Sequence, residues 1–317
     1  MRRRPDEHSK PARVCNILGW IGIVGTVASL FSGWAWIAGL FSWLNVQYLV
    51  LTTLALPLWL RLRRKKTLAA AALVIGLNLY MIVPYFVSTT SDVSGGRKFQ
   101  LVIFNVLRTN TEMEQTLEEA VSGDPDFLFL METGPKWPAV LESLDENYPH
   151  RKVLCREDHT GVVFLSKHPW QSLKVVRDVA GGNLPLDVRF SIEGEEFRMI
   201  LTHPLPPIPP SNGRDRNEQL LELAASVSDD TPTILAGDLN VTPWSAHFHA
   251  VLDAGELTDL SKGYGITPTL APLPSWFGGV KVDHVLANNG IAVTNFAVGV
   301  TQYSDHRPVS TTFSISQ

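Results

Sequence analysis

Residues 15–33, 35–60 and 68–87 are three apolar runs in close succession, and they constrain the fold more than any other feature. Each holds about twenty residues, enough to cross ~30 Å of hydrocarbon as a helix. None has a polar face, which argues against a buried helical hairpin in a soluble protein. A secretory signal would show one apolar core of roughly 7–15 residues and a small-residue cleavage site. The expected organisation is a basic N-terminus at 1–14, three transmembrane helices within 15–87, a polar linker at 88–96 and a soluble domain at 97–317.

Orientation follows from the basic residues. Arg2, Arg3, Arg4, Lys10 and Arg13 precede the first run; Arg61, Arg63, Arg64, Lys65 and Lys66 separate the second from the third. The turn between the first two runs is uncharged and carries Trp34 and Trp36, with Trp43 nearby, as suits a headgroup interface. Both basic clusters belong in the cytoplasm. Three crossings then place the soluble domain outside it, periplasmic or extracellular, on a multi-pass cell (inner) membrane protein. Pro84 is expected to kink the third span near its end. A nine-residue linker reaches at most about 30 Å, so the domain stays close to the outer leaflet.

The soluble part carries 17 Lys and Arg against 28 Asp and Glu, a formal −11. Such a surface disfavours non-specific binding to nucleic acid, where basic residues supply much of the affinity. A local basic groove remains compatible with it. Cys15 and Cys155 fall in different parts of the chain, so no disulfide framework is expected.

Residues 99–106, 127–131, 161–166, 187–192, 198–202, 233–236, 282–287 and 309–315 predict strands. Residues 112–121, 136–144, 216–226 and 246–254 predict helices; the third has an apolar face of Leu220, Leu221, Leu223, Ala224 and Val227. Short buried strands with helices between them imply an α/β fold, a four-layer α/β sandwich of two packed mixed sheets flanked by helices.

Polar residues recur at the boundaries of these apolar runs: Asn105, Glu132, His203, Asp238, Asn240, Asp283, Asp305 and His306. If the strands converge on one edge, these side chains share a cleft. Hydrolysis of a phosphate ester needs charge neutralisation, an activated water and a stabilised leaving oxygen. Glu132 is a hard oxygen ligand suited to Mg²⁺, with Mn²⁺ as an alternative. Asp283 and His306 suit a carboxylate–histidine pair in which the acid orients the ring. Taken singly, each has a structural explanation. Glu132 could cap a helix, Asp238-Leu239-Asn240 could be an Asx turn, and His203 before Pro204 could be structural. Arg214, Arg216 and Asn217 follow a Pro-rich loop and could reach substrate phosphate or simply start a helix. His168, His247 and His249 read as surface or packing residues.

Six motifs stand in order: Phe104-Asn105-Val106, Leu130-Met131-Glu132, Thr202-His203, Gly237-Asp238-Leu239-Asn240, Val282-Asp283-His284 and Ser304-Asp305-His306-Arg307-Pro308-Val309. Over about residues 97–317 the chain resembles the endonuclease/exonuclease/phosphatase superfamily. That group includes pancreatic-type deoxyribonuclease, abasic-site endonucleases, inositol polyphosphate 5-phosphatases and bacterial sphingomyelinases. The resemblance implies Glu132 as the main metal ligand, with Asn105 and Asp305 near the metal. It implies His306 as phosphate contact or base, supported by Asp283. Asp238 would position or deprotonate the attacking water, Asn240 would donate to a phosphate oxygen, and His203 would bond one in the transition state. Arg214 and Arg216 are candidate substrate contacts. His284 falls where many relatives carry Tyr, and is left outside the catalytic set.

The expected function is a membrane-anchored, Mg²⁺-dependent phosphoesterase acting on a phosphodiester or phosphomonoester. Its substrate is open between lipid, small molecule and nucleic acid, and no protein partner is inferred. A metal-dependent nuclease acting on DNA or RNA is the main alternative. A catalytically dead, membrane-tethered binding protein is another; it would have lost a metal ligand or the Asp-His pair, and both are present. The domain is short for this family, which leaves little room for DNA-gripping loops or lipid-inserting hairpins.

Overall fold

The computed structural model describes residues 9–87, 96–176, 184–228, 230–271 and 278–315. Most of the expected linker, 88–95, lies outside them. The apolar runs form α1 (Lys10–Ser29), α2 (Trp36–Phe41), α3 (Asn45–Arg61) and α4 (Lys65–Ile82). A 3₁₀ turn joins α2 to α3. Three helical segments are long and apolar enough to cross a membrane: Lys10–Ser29, Trp36–Arg61 and Lys65–Tyr85. The first starts earlier than the apolar run. Pro11 sits in its opening turn, where a missing N–H leaves no bond unmade. Pro84 lies in the 3₁₀ turn after α4, so it ends the helix instead of kinking it.

Helix α1 turns Gly19, Gly22, Gly25, Thr26 and Ser29 inward, toward α3 and α4. A methyl group at Gly22 would lie 2.2 Å from Thr52 Oγ1, so only glycine permits this approach. Asn78 of α4 donates to Thr26 Oγ1 at 2.9 Å.

The rest alternates strand and helix: β1 (Phe99–Asn105), α5 (Met113–Val121), β2 (Phe127–Met131), α6 (Trp137–Leu141), β3 (His150–Leu154), β4 (Val162–Ser166), β5 (Trp170–Val175), β6 (Leu186–Ile192), β7 (Glu195–Leu201), α7 (Pro210–Ala225), β8 (Thr233–Asp238), α8 (Ala246–Ala254), β9 (Thr258–Asp259), β10 (Asp283–Ala287), β11 (Ile291–Val298) and β12 (Val309–Ile315). One six-stranded sheet runs β11-β12-β1-β2-β4-β3 and the other β5-β6-β7-β8-β10-β9. Each has one parallel pair, β1 with β2 and β7 with β8, among antiparallel neighbours. The first pair is bridged by α5 and the second by α7, as a parallel connection requires.

Phe99, Phe127, Phe164, Phe190, Phe197 and Phe313 fill the space between the sheets. Alternate residues Val102, Phe104, Leu128 and Leu130 face outward and pack with Leu117, Trp137 and Leu141 of α5 and α6. Ile200, Leu235 and Leu286 likewise pack with Leu220, Leu223 and Phe248 of α7 and α8. The result is the four-layer sandwich. Burial of both strand faces explains why β2 and β4 read as nearly unbroken apolar runs.

Four strands depart from the sequence reading: β3, β5, β9 and β11 were not expected, and all four are sheet edges. Helix α7 begins at Pro210 and not at 216, because a proline is tolerated in the first turn. Leu220, Leu223 and Ala224 form its buried face, with Leu221 and Val227 packed at the margin. Cys15 and Cys155 are both free.

Candidate active site

The two parallel pairs point their C-terminal ends at the same edge. Asn105 ends β1, Glu132 follows β2, His203 follows β7 by two residues, and Asp238 ends β8. Antiparallel β10 brings Asp283 directly opposite Asp238 in register. The loop before β12 supplies Ser304, Asp305 and His306.

Asn105 joins the two sheets: its Nδ2 donates to Glu132 Oε1 at 3.0 Å and to Asp238 Oδ2 at 3.2 Å. Glu132 Oε2 accepts from the Arg108 backbone N–H at 3.1 Å and lies 2.9 Å from His159 Nδ1. His203 Nε2 stands 3.5 Å from Asp238 Oδ2 and 3.9 Å from Glu132 Oε1. His306 Nε2 lies 3.6 Å from the same Asp238 oxygen, while its Nδ1 is 2.9 Å from Asp283 Oδ2. Asp238 Oδ1 accepts from the Asn240 N–H at 3.0 Å. Asn240 Nδ2 donates to the Pro204 carbonyl at 3.0 Å, and its own carbonyl accepts from Arg216 Nη1.

The backbone is bent at these points. Glu132 has φ +62° and Asn240 φ +51°, the left-handed region that side chains other than glycine seldom adopt. Asparagine tolerates it; a glutamate held there stores about 1–3 kcal/mol of strain. Gly237 has φ +144°, and a Cβ there would lie 1.8 Å from the Thr202 carbonyl oxygen. Only glycine can precede Asp238 in this strand.

Electrostatics follow the geometry. Burial alone would raise the Asp238 carboxyl, yet the His306 and His203 charges beside it hold it down at about 2. Glu132 is likewise lowered: His203 and the bonds from His159, Asn105 and Arg108 outweigh burial. Burial would lower His306, but Asp283 and Asp238 push it up to about 10. His203 is raised for the same reason by Asp238 and Glu132.

The remaining expected residues divide. Asp305 is exposed; its backbone carbonyl accepts from Ala271, and its charge acts on His306. Arg216 is buried and holds the Asp238–Asn240 turn from behind. Arg214 lies on the exposed face of α7. His284 is fully buried against Phe248, with Nε2 2.9 Å from the Val241 carbonyl, a packing role. His168 pairs with Asp126 at 2.8 Å. Of the α8 pair, His247 is half-buried and His249 exposed.

Three contributors were not foreseen. His159 faces Glu132 from just before β4; the strand-boundary pattern that singled out the others extends to it. Ser304 Oγ donates to the Asn105 carbonyl at 2.8 Å and accepts from the His306 N–H at 3.1 Å. Thr269 Oγ1 accepts from the Asp283 N–H at 3.0 Å, a contact with no sequence signature.

Among the described residues, Asp238, Asp283 and His306 are the group of acidic and histidine side chains close enough to share one cation, with ligand atoms within 4.8 Å of one another. Asp283 Oδ1 is buried with no hydrogen-bond partner. Close to Glu132, a cavity of about 350 Å³ is lined by polar and apolar side chains together, among them Arg108, Asn110, Lys136, Glu157, Met113 and Trp137.

No curated protein matches the sequence significantly. Solved structures share the fold. An endonuclease/exonuclease/phosphatase from Beutenbergia cavernae superposes with a TM-score of 0.57 at 19% identity, over 69% of this chain and 72% of that one. D. rerio TDP2 complexed with single strand DNA product gives 0.58 at 16%, over 68% and 99%. Sphingomyelinase C from Streptomyces griseocarneus gives 0.50 at 17%, over 68% and 99%. At these identities the likeness is one of fold. Residues 100–306 match the Endonuclease/Exonuclease/phosphatase family itself, and the match covers most of the chain and spans every motif from Asn105 to His306. The chain belongs to that family.

Proposed function

We propose that this protein is a membrane-anchored, divalent-metal-dependent phosphoesterase whose catalytic domain stands outside the cytoplasm. The observation that carries the reading is the cluster of Asn105, Glu132, His203, Asp238, Asp283 and His306, linked at 2.9–3.9 Å across the edges of two sheets. The three helices and their flanking basic clusters support the anchoring and the orientation.

The donor set fits a hard cation. It offers the ionised carboxylate of Glu132 with the Asn105 amide 3.0 Å away, hard oxygen donors of the kind such a cation takes. Glu132 and Asn105, with Asp305 at the rim, are the residues proposed to hold Mg²⁺, or Mn²⁺ in its place. We favour them over Asp238, Asp283 and His306, because both nitrogens of His306 face carboxylates, which favour the charged ring over one that could bind a cation. When bound, the cation would neutralise phosphate charge and polarise a water.

The chain's own groups do the rest. Asp238 stays ionised far below neutrality, so it orients the attacking water and balances charge better than it accepts a proton. His306, charged and held by Asp283, donates to a phosphate oxygen, and His203 donates to a second. Asn240 would donate its other amide hydrogen to a third. Arg216 positions the Asp238–Asn240 turn, which leaves Arg214 as the more accessible of the two for substrate.

The test is hydrolysis of bis-p-nitrophenyl phosphate by the full chain in vesicles, with and without divalent metal. Glu132→Gln should shift the metal dependence to higher concentration and cut turnover strongly. Undiminished wild-type activity in chelator would defeat the metal mechanism. A reporter active only outside the cytoplasm, fused after Gln317, should be active; activity only from a cytoplasmic reporter would defeat the orientation.

A further inference from the structure

The apolar helices grip the loops that leave the active site. Trp36 Nε1 donates to the carbonyl of Pro207, four residues after His203. Ser42 Oγ lies 3.2 Å from Thr242 Oγ1, two residues after Asn240. Gln47 Nε2 donates to the Gly279 carbonyl at 3.3 Å, four residues before Asp283. Tyr85, at the end of the third segment, accepts at its carbonyl from the Gly263 and Gly265 N–H groups and donates to Asp259 Oδ2 at 3.0 Å. All four helix residues sit at the end of the bundle opposite Arg61 to Lys66. Four residues of chain span at most ~14 Å, so the site's side chains stand close to the helix ends.

The same face carries apolar side chains without protein cover. Among the described residues the sandwich exposes five large hydrophobics, and two of them flank these contacts: Ile208 beside Pro207, and Ile266 beside Gly265. Trp34, 88% exposed, and Phe86 stand on the adjoining helix ends. A rim of this kind matches the interfacial layer of a bilayer, where aromatic and apolar residues gather.

We propose that the substrate is a phosphate ester borne by a bilayer lipid, hydrolysed at the membrane surface without leaving it. This rests on the phosphoesterase reading above and adds the source of the ester. A dissolved polyanion would have to approach an acidic domain along a wall of lipid headgroups; a lipid arrives by lateral diffusion. The nearby cavity of about 350 Å³ mixes Lys136 and an Arg108–Glu157 ion pair with Met113 and Trp137, a lining that can take a polar headgroup against an apolar wall. In the reaction the oxygen of one water bonds to phosphorus and one P–O ester bond breaks. The leaving oxygen departs as an alcohol carrying one water proton; the other stays on the product phosphate or, after cleavage of a diester, passes to solvent. No further reactant is needed.

The test uses the full chain in vesicles of phosphatidylethanolamine, phosphatidylglycerol and phosphatidic acid, with Mg²⁺ or Mn²⁺. Dissolved glycerophosphoethanolamine, glycerophosphoglycerol and glycerol 3-phosphate present the same esters without acyl chains. A single-stranded oligonucleotide and bis-p-nitrophenyl phosphate complete the set. At least one lipid should turn over about 10²-fold faster than its deacylated counterpart, because confinement to the surface raises its effective concentration. Equal rates for the two, or faster cleavage of the oligonucleotide, overturn the proposal. Cleavage of bis-p-nitrophenyl phosphate with no lipid turnover overturns the lipid assignment alone; failure on every substrate overturns the phosphoesterase reading. Ile208→Asp should lower the lipid rate about tenfold, the order expected for taking one apolar side chain out of an interface, and leave bis-p-nitrophenyl phosphate unaffected. Equal loss on both substrates, or no loss on lipid, counts against the proposal.

Discussion

The helical segment and the sandwich are built inside out with respect to each other. In the sandwich, phenylalanines fill the middle and polar side chains cover the outside. In the helices, Thr26, Ser29, Thr52 and Asn78 are buried. Twenty-two of the 27 exposed large hydrophobics among the described residues fall in residues 9–87. The same twenty amino acids obey opposite rules because the expected solvents differ. Water drives apolar groups together; hydrocarbon does not, so helices there associate through small residues and polar contacts. The contrast teaches that burial alone does not identify a core, since what is hidden depends on what lies outside.

The largest expected effect sharpens the contrast by touching one region only. His306→Ala and Asp238→Asn should each lower turnover about 10²–10⁴-fold and leave the helices intact. Asp283→Asn should behave as a weaker His306 variant. The double variant should lose little more than His306→Ala alone, because groups that act as a unit are strongly non-additive. Losses that multiply would show that the pair does not act as one.

A charge on the outer helical surface is the next largest. Leu73 is 65% exposed in the middle of α4. Leu73→Arg should cost about 2.5–3.5 kcal/mol of insertion if that surface faces lipid. On a water-facing surface the change would be within about 0.5 kcal/mol. An unaltered membrane-inserted fraction would break the comparison at its root.

Titration gives a smaller effect, confined to the sandwich. His306 is held above its ordinary value, up to about 10. The stability it contributes is complete below the unfolded value of about 6.5 and is lost as pH rises through about 10. The sandwich should therefore melt several degrees lower at alkaline than at mildly acidic pH, and His306→Ala should flatten that slope. A wild-type melting curve independent of pH over this window would show that the imidazolium is not stabilised as described.

The smallest is Asn78→Leu in the helices, expected to cost about 1 kcal/mol by removing the bond to Thr26. Thermal stability in detergent would register it. A gain in stability would mean that the buried amide is a burden there, as it would be in the sandwich interior.

Inner strands buried on both faces were legible as unbroken apolar runs, as in Phe127 to Met131, whereas β6 and β12 interleave apolar with polar residues. The four edge strands were not legible. His150-Arg151-Lys152 in β3 and Gln171-Ser172 in β5 face water on one side, and their pairing partner, not their composition, makes them strands. The site divided the same way. Side chains that touch each other, such as Asp283 and His306, left a mark at strand boundaries. Thr269, which acts through one backbone bond, left none. Arg216 was visible as a charge near the site, but its place behind the Asn240 carbonyl depends on where α7 begins.

Asn105 draws one acceptor from each sheet, Glu132 and Asp238, and so stands on the seam between the two halves of the domain. Neither half alone holds a complete set of reactive groups. A chain part-way through folding therefore lacks the assembled site, which exists only once the seam has closed. The amide acts as a latch that ties the onset of activity to the completion of the fold.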